Sequence, residues 1–324
     1  MLTNSLPLQR GSMQYRNLGH SGLQVSAIGI GTNQFGGKVS QADVLKILDT
    51  LADLGVNFLD TANMYQAGRS ETAIGKALKG KRQQWIVATK FFHEVDPGGP
   101  NDRGASRKHI FQAVESSLAR LQTEFIDLYQ IHRWDPETPL EETMSALDDL
   151  VRSGKVRYIG ASNFTAWQLS EANAIARENG WARLISIQPH YHLFQREIDQ
   201  ELIPAAQYNN IGILPYFPLA GGFLTGKYLA DKAAPKGSRG EESPYVQKYF
   251  TTKNYAKLEK LGQFAQDHGR TINALAHAWL LAQPQISSVI SGATSPEQAS
   301  QNAASHDWQL NSEDLAVINQ ILDN

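Results

Sequence analysis

Asp60, Tyr65, Lys90 and His132 stand at or just beyond the ends of three short apolar runs, VNFLD (56–60), WIVATK (85–90) and IDLYQIH (126–132). Tyr65 closes the word DTANMY, five residues after Asp60. A free tyrosine keeps its proton up to about pH 10. An ammonium beside it favours the phenolate and lowers that value. Asp60 would hold Lys90 charged and oriented. His132 would donate a hydrogen bond to a carbonyl oxygen or share the tyrosine's proton. Together the four would make a proton donor and an oxyanion site for a carbonyl that receives a hydride. Each also has a plain use: Asp60 as a turn or helix cap, Tyr65 in packing, Lys90 as a solvated charge, His132 with Arg133 as a loop pair. Placement on three successive strand ends favours the joint reading.

The elements that must carry these residues alternate along the chain. Strands are expected at 27–31, 56–60, 85–90, 126–132, 156–162, 184–188, 212–216 and 287–292. Between them lie stretches of helical spacing. Val44, Leu48, Leu51 and Leu54 share a face, as do Ile110, Val114, Leu118 and Leu121, and Leu140, Met144, Leu147 and Val151. Further helices are expected at 70–79, 165–179, 199–209, 254–268 and 272–282. Continuous apolar strands separated by amphipathic helices imply a parallel sheet covered by helices. About eight such units favour an α/β fold closed into a (β/α)8 TIM barrel, whose active sites form at the C-terminal strand ends. The rival is an open doubly wound sheet. Its G-x-G-x-x-G fingerprint fails here, because Gln34 takes the third glycine position in GIGTNQFGG. Three features exceed a minimal barrel: a hairpin at 13–26 that would plug the floor, a long polar loop at 221–243 after the seventh strand, and added C-terminal helices.

The chain has 324 residues, 41% of them hydrophobic, with a formal net charge of -2 and no cysteine. Disulfides, thiol nucleophiles and thiolate metal sites are excluded. The charge balance offers no footprint for nucleic acid or an anionic membrane. No apolar run reaches the roughly 18 residues of a membrane span, and MLTNSLPLQRGS lacks the apolar core of a signal peptide. A cytoplasmic protein is expected, with residues 1–12 a flexible tail and 13–324 one barrel domain. The oligomeric state is not readable.

The words themselves resemble those of the aldo-keto reductases. DTANMY with SETAIGKAL, ATK, DLYQIHRWDPETPLEETMSAL, GKVRYIGASNF, YFPLAGGFLTGKY and SGATSPEQASQN occur in that family's order, from about Met13 to Ile321. The branch resembled holds bacterial aryl-alcohol-dehydrogenase-like reductases and potassium-channel β subunits. The resemblance implies an oxidoreductase that reduces aldehydes or ketones with NADPH, NADH being possible. Tyr65 would be the general acid, Lys90 and Asp60 the pair that tunes it, and His132 the residue orienting the carbonyl. The alternative is a cofactor-bound regulatory subunit with weak catalysis.

The same resemblance assigns the cofactor. Gly31 and Thr32 lie at the first strand end. Ser162, Asn163 and Gln188 would bond the carboxamide, and Tyr216 would stack on the nicotinamide. Phe217, Pro218, Leu219, Gly221 and Lys227 would wrap the pyrophosphate, although Phe217 replaces the usual serine. Gly292, Thr294, Gln298 and Asn302 would hold the adenosine end. Thr294 or Ser295 can cap a helix there, and a helix N-terminus attracts phosphate. Gly292 and Gln298 stand where many relatives place basic residues, so Lys227 and Arg239 would supply charge for a 2′-phosphate. Asn33, Phe35, Phe91, Phe92 and Trp134 would line a substrate pocket. Asn33 stands where the branch often has tryptophan. The pair His190 and His192 admits a metal reading, but no acidic or histidine partner is evident nearby; no metal is expected.

Overall fold

The computed structural model describes residues 13–95 and 98–323, so the expected tail at 1–12 lies outside them. The chain opens with an antiparallel hairpin, β1 (Tyr15–Asn17) and β2 (Gln24–Ser26). Eight parallel strands follow: β3 (Ile28–Gly31), β4 (Phe58–Asp60), β5 (Ile86–Phe91), β6 (Ile126–Ile131), β7 (Val156–Ser162), β8 (Leu184–Gln188), β9 (Gly212–Ile213) and β10 (Val289–Gly292). They pair in chain order, and β10 returns to β3. The ring closes between β9 and β10 through Ile213 N–H to Gln285 O (2.7 Å), Ser287 N–H to Ile213 O (3.0 Å) and Ile290 N–H to Pro215 O (3.0 Å). The expected strand 212–216 shortens to two residues; Pro215 within it has no N–H to give to a ladder.

The helices are α1 (Gln41–Asp53), α2 (Arg69–Ala77), α3 (Arg107–Leu121), α4 (Leu140–Arg152), α5 (Ala166–Asn179), α6 (Leu202–Tyr208), α7 (Arg239–Glu242), α8 (Pro244–Gln247), α9 (Thr252–Asp267), α10 (Ile272–Leu281), α11 (Pro296–Ala304) and α12 (Ser312–Asp323). Their starts follow capping chemistry: Ser40, Ser106, Thr251, Thr271 and Ser295 each accept a first-turn N–H. Thr165 and Gln168 form a capping box. In α1 the buried stripe is Val44, Ile47, Leu48 and Leu51, while Leu54 ends the helix half in solvent. The long loop at 221–243 holds a 3-10 turn (Ala220–Thr225) and α7, and leads directly into α8.

Alternation along the strands sets what the barrel encloses. Low in the barrel, Phe58, Ala88, Leu128, Leu214 and Ile290 pack with Leu18 and Val25 of the hairpin. Leu18 is fully buried, so the hairpin does plug the floor. Gly19, at φ 57°, permits this: a side chain there would meet Ile185 O at 2.3 Å. Two residues further along the same inward rows come Asp60, Lys90, Gln130 and Tyr216. The barrel is therefore apolar at its floor and polar at its C-terminal end.

Candidate active site

Lys90 organises the mouth of the barrel. Its ammonium donates to both Asp60 oxygens (2.9 and 2.7 Å) and to Thr61 O (2.9 Å), and stands 3.4 Å from the Tyr65 hydroxyl. Lys90 is fully buried. A buried charge is tolerated only when paired and hydrogen-bonded. Burial opposes the ammonium, but Asp60 and then Tyr65 outweigh it, and the Lys90 pKa is raised. Asp60 also accepts from Gln188 Nε2 (2.8 Å) and Gln130 Nε2 (3.3 Å). Gln130 escapes the sequence reading. Its signal is parity: it is a polar residue in a buried strand, two positions before His132.

Lys90 acts on the Tyr65 pKa in the expected, downward direction, but it is outweighed. Burial raises it first; Lys90 pulls it down and Asp60 pushes it up, and the net shift is upward. At neutral pH the phenol keeps its proton, as a general acid must. His132 lies edge-on to Tyr65, with ring centroids 6.1 Å apart. Burial, then Lys90, His93 and Arg133, holds its pKa down to about 2, so the imidazole is neutral. Its Nδ1 is buried without a hydrogen-bond partner among the described residues. His93, another residue the sequence reading passes over, lays its ring against His132 at 5.0 Å.

The word SETA supports this group from behind. Ser70 donates to Thr32 O (2.9 Å), and its hydroxyl meets Thr61 Oγ1 at 3.0 Å. Glu71 is buried between Thr89 on β5 (2.5 Å) and Arg120 on α3 (2.7 Å). These bonds fix the turn 61–68, which carries Tyr65, against the strand ends. The Thr32 hydroxyl is part of the same support: it is fully buried and donates to Asp60 O (2.9 Å).

The residues expected at a cofactor form a second rank. Ser162 Oγ donates to Gln188 O (2.8 Å), Asn163 Nδ2 donates to Ser162 Oγ and His132 O (3.0 Å each), and Tyr216 donates to Asn163 Oδ1 (3.0 Å). Phe217 takes φ 64°, Pro218 is buried, and Leu219 begins the 3-10 turn as its cap. Gly221 and Gly222 follow at φ 68° and 103°. Side chains at these glycines would meet Val246 (2.4 Å) and Lys227 Nζ (2.8 Å). Arg239 lies over the Phe217 ring at 5.6 Å. Neither Arg239 nor Lys227 has a carboxylate partner among the described residues. At the far end Ser295, not Thr294, caps α11. Gln298 Oε1 accepts from the N–H and hydroxyl of Thr294 (3.0 Å each), and Asn302 Nδ2 donates to Gly292 O (3.2 Å). Gly31 stands against Ile290, where a side chain would approach its methyl at 3.0 Å.

Two of the expected pocket residues line no rim. Phe35 and Phe91 are fully buried. Phe91 follows inward-facing Lys90, so it points outward and stacks on Tyr129 at 4.8 Å. Phe35 is turned into the core by the bond from its N–H to Thr32 O (2.9 Å). Asn33 is exposed, with its carbonyl accepting from Gln66 Nε2 (2.8 Å). Phe92, at φ 139°, and Trp134 are half-buried at the mouth. Trp134 meets Phe164 and Trp167 edge-on at 5.3 Å each. Trp167 is 61% exposed and joins this aromatic wall unforeseen, because a tryptophan on a helix's first turn reads as ordinary packing. His190 and His192 meet each other and three tyrosines, Tyr216, Tyr245 and Tyr249. Among the described residues no three His, Asp or Glu side chains gather where a metal could be held.

Fold and site thus define a barrel with a buried Lys90–Asp60 pair, a protonated phenol and a neutral imidazole gathered at its mouth. A model of the Aldo/keto reductase family matches residues 27–323. The uncharacterized oxidoreductase YrpG of Bacillus subtilis (strain 168) is 37% identical over 319 residues, covering 95% of this chain and 96% of that protein. The aldo-keto reductase YhdN of the same organism is 36% identical over 319 residues, covering 96% and 94%. A probable voltage-gated potassium channel subunit beta of Arabidopsis thaliana is 37% identical over 298 residues, covering 90% of each. The chain belongs to the aldo/keto reductase family of oxidoreductases.

Proposed function

We propose that this protein reduces aldehydes or ketones to alcohols with NADPH, and that Tyr65 delivers the proton. The observation that carries the reading is the fully buried Lys90, bound to Asp60 through both oxygens and 3.4 Å from a protonated phenol, beside a neutral His132. The residues present fit a dinucleotide. Two glycines at positive φ leave bare backbone beside Lys227 and Arg239, cations without carboxylate partners among the described residues. Ser162, Asn163, Gln188 and Tyr216 would hold the nicotinamide end, and Gly292, Thr294, Gln298 and Asn302 the adenosine end. When bound, NADPH supplies a hydride for the carbonyl carbon. The chain does the rest. His132, neutral, offers an N–H to the carbonyl oxygen. Tyr65 gives that oxygen its proton as negative charge develops. Lys90 stabilises the phenolate left behind, and Asp60, with Gln130 and Gln188 donating to it, keeps Lys90 charged and in place. Lys227 and Arg239 favour NADPH over NADH by offering charge to a 2′-phosphate.

The relative named as a channel subunit supports a second reading, a cofactor-holding regulatory subunit with weak catalysis. Turnover separates the two. With 4-nitrobenzaldehyde as substrate, NADPH absorbance should fall, with one alcohol formed per NADPH and a slower rate with NADH. Tight NADPH binding without aldehyde-dependent oxidation across a carbonyl panel would favour the regulatory subunit. No NADPH binding would refute both.

A further inference from the structure

The His190–His192 pair has a use other than metal binding. Phe194 N–H donates to His192 Nδ1 (3.2 Å). That nitrogen carries no proton, so the neutral ring carries its proton on Nε2. His192 Nε2 lies 3.1 Å from His190 Nε2. The Tyr249 hydroxyl lies equally close to His192 Nε2, at 3.1 Å, so that proton has two partners within reach. His190 Nδ1 is hydrogen-bonded to Tyr245 Oη at 2.8 Å. The Tyr245 ring also lies tilted against the same imidazole, 5.4 Å between centroids. Tyr216 donates to Asn163 Oδ1 (3.0 Å), and Asn163 Nδ2 donates to His132 O (3.0 Å). Tyr216 is thus backed on one side by the His190 ring, itself tied to Tyr245, and bonded on the other to Asn163, whose amide reaches the backbone of the candidate catalytic histidine. Stacking reinforces it. His190 lies parallel to the Tyr216 ring, 10° between planes and 5.3 Å between centroids. Tyr245 sets its edge on Phe217 at 5.2 Å. Burial keeps both imidazoles neutral: His190 is lowered to about 4 and His192 well below its ordinary value. Tyr245 is 43% exposed and sits on α8, directly after the long loop, so its contact also anchors that segment to the rim.

We infer that His190 and Tyr245 are positioning residues that back the Tyr216 ring and tie it to α8, so that the nicotinamide platform and the docking of the 239–250 segment form one unit. The inference rests on the proposed function for its consequence: the unit slows release of the nicotinamide end. It does not touch the adenosine end.

The test compares Tyr245→Phe, His190→Phe and the double variant with the wild type. NADPH release is followed by stopped-flow fluorescence, 2′,5′-ADP binding by calorimetry, and amide hydrogen exchange in the absence of cofactor. His190→Phe keeps a ring against Tyr216 but cannot hydrogen-bond Tyr245. Losing one hydrogen bond should speed NADPH release roughly 3- to 10-fold. The double variant should be no faster than either single, because both break the same link. Affinity for 2′,5′-ADP should not change. Unchanged NADPH release, or additive effects with an equal loss of 2′,5′-ADP, would overturn the inference. If the wild type binds no NADPH, the proposed function fails separately and exchange decides. Faster exchange at 244–250 together with 216–219 in Tyr245→Phe supports the strut, and unchanged exchange overturns it.

Discussion

At the scale of single residues, the centre is a buried ion pair whose value depends on both partners. Asp60→Asn would leave the Lys90 ammonium buried without its counter-charge. The expected cost is about 3–5 kcal/mol in urea unfolding. Asp60→Asn with Lys90→Met should cost less than Asp60→Asn alone, since the stranded charge is gone; a cost equal to the sum of the singles would contradict the account. Three of the four centre residues were legible because an ionisable side chain at the end of an apolar run is conspicuous. Tyr65 became legible only beside them. Gln130 was not, since an uncharged amide in a strand attracts no notice until parity places it next to Asp60. Phe35 and Phe91 misled because an aromatic near a strand end reads alike whether it faces the mouth or the helices. One residue of register decides which.

At the scale of elements, the floor and the rim make separate predictions. Leu18 on the hairpin packs among the lowest inward side chains of the barrel. Leu18→Ala should destabilise by about 2–5 kcal/mol with little change in KM for a carbonyl, because the polar layer lies above it. A large KM change without loss of stability would mean that the hairpin does more than plug. Ser295→Ala removes the α11 cap, with an expected cost of about 1 kcal/mol in unfolding. On the proposed reading it weakens 2′,5′-ADP binding and leaves kcat unchanged; an altered kcat would place α11 nearer the chemistry than the structure does. The eight barrel strands were legible because buried parallel strands are continuous apolar runs. The two four-residue helices α7 and α8 were not, since one turn is too short to show a period. Their place against the rim depends on Tyr228, Tyr245 and Val246, contacts made far along the chain.

At the scale of the whole molecule, burial of neutral imidazoles makes stability depend on pH. His132 is held down to about 2, and His190 and His277 to about 4, burial being the first cause in each case. In the fold these groups stay neutral, while in the unfolded chain each takes a proton below about pH 6.5. The unfolded state therefore binds more protons as pH falls, and stability rises with pH in this range. The contribution is complete above about 6.5. It is lost down to about 4 for His190 and His277 and down to about 2 for His132. The urea midpoint should fall between pH 7.5 and pH 5. A midpoint unchanged or higher at pH 5 would contradict the burial of these rings. None of this was readable beforehand, because a histidine in a sequence does not declare its solvent. The closed barrel was readable, since it follows from the number and order of the units.

The most direct test of the central claim is aldehyde-dependent NADPH oxidation by wild type and Tyr65→Phe, with NADPH affinity measured on both. The account predicts that the wild type turns over, and that the variant binds NADPH as well but loses at least about 100-fold in kcat, within the range of a general acid's contribution. Equal turnover in the two proteins would remove Tyr65 as the proton donor and contradict the account.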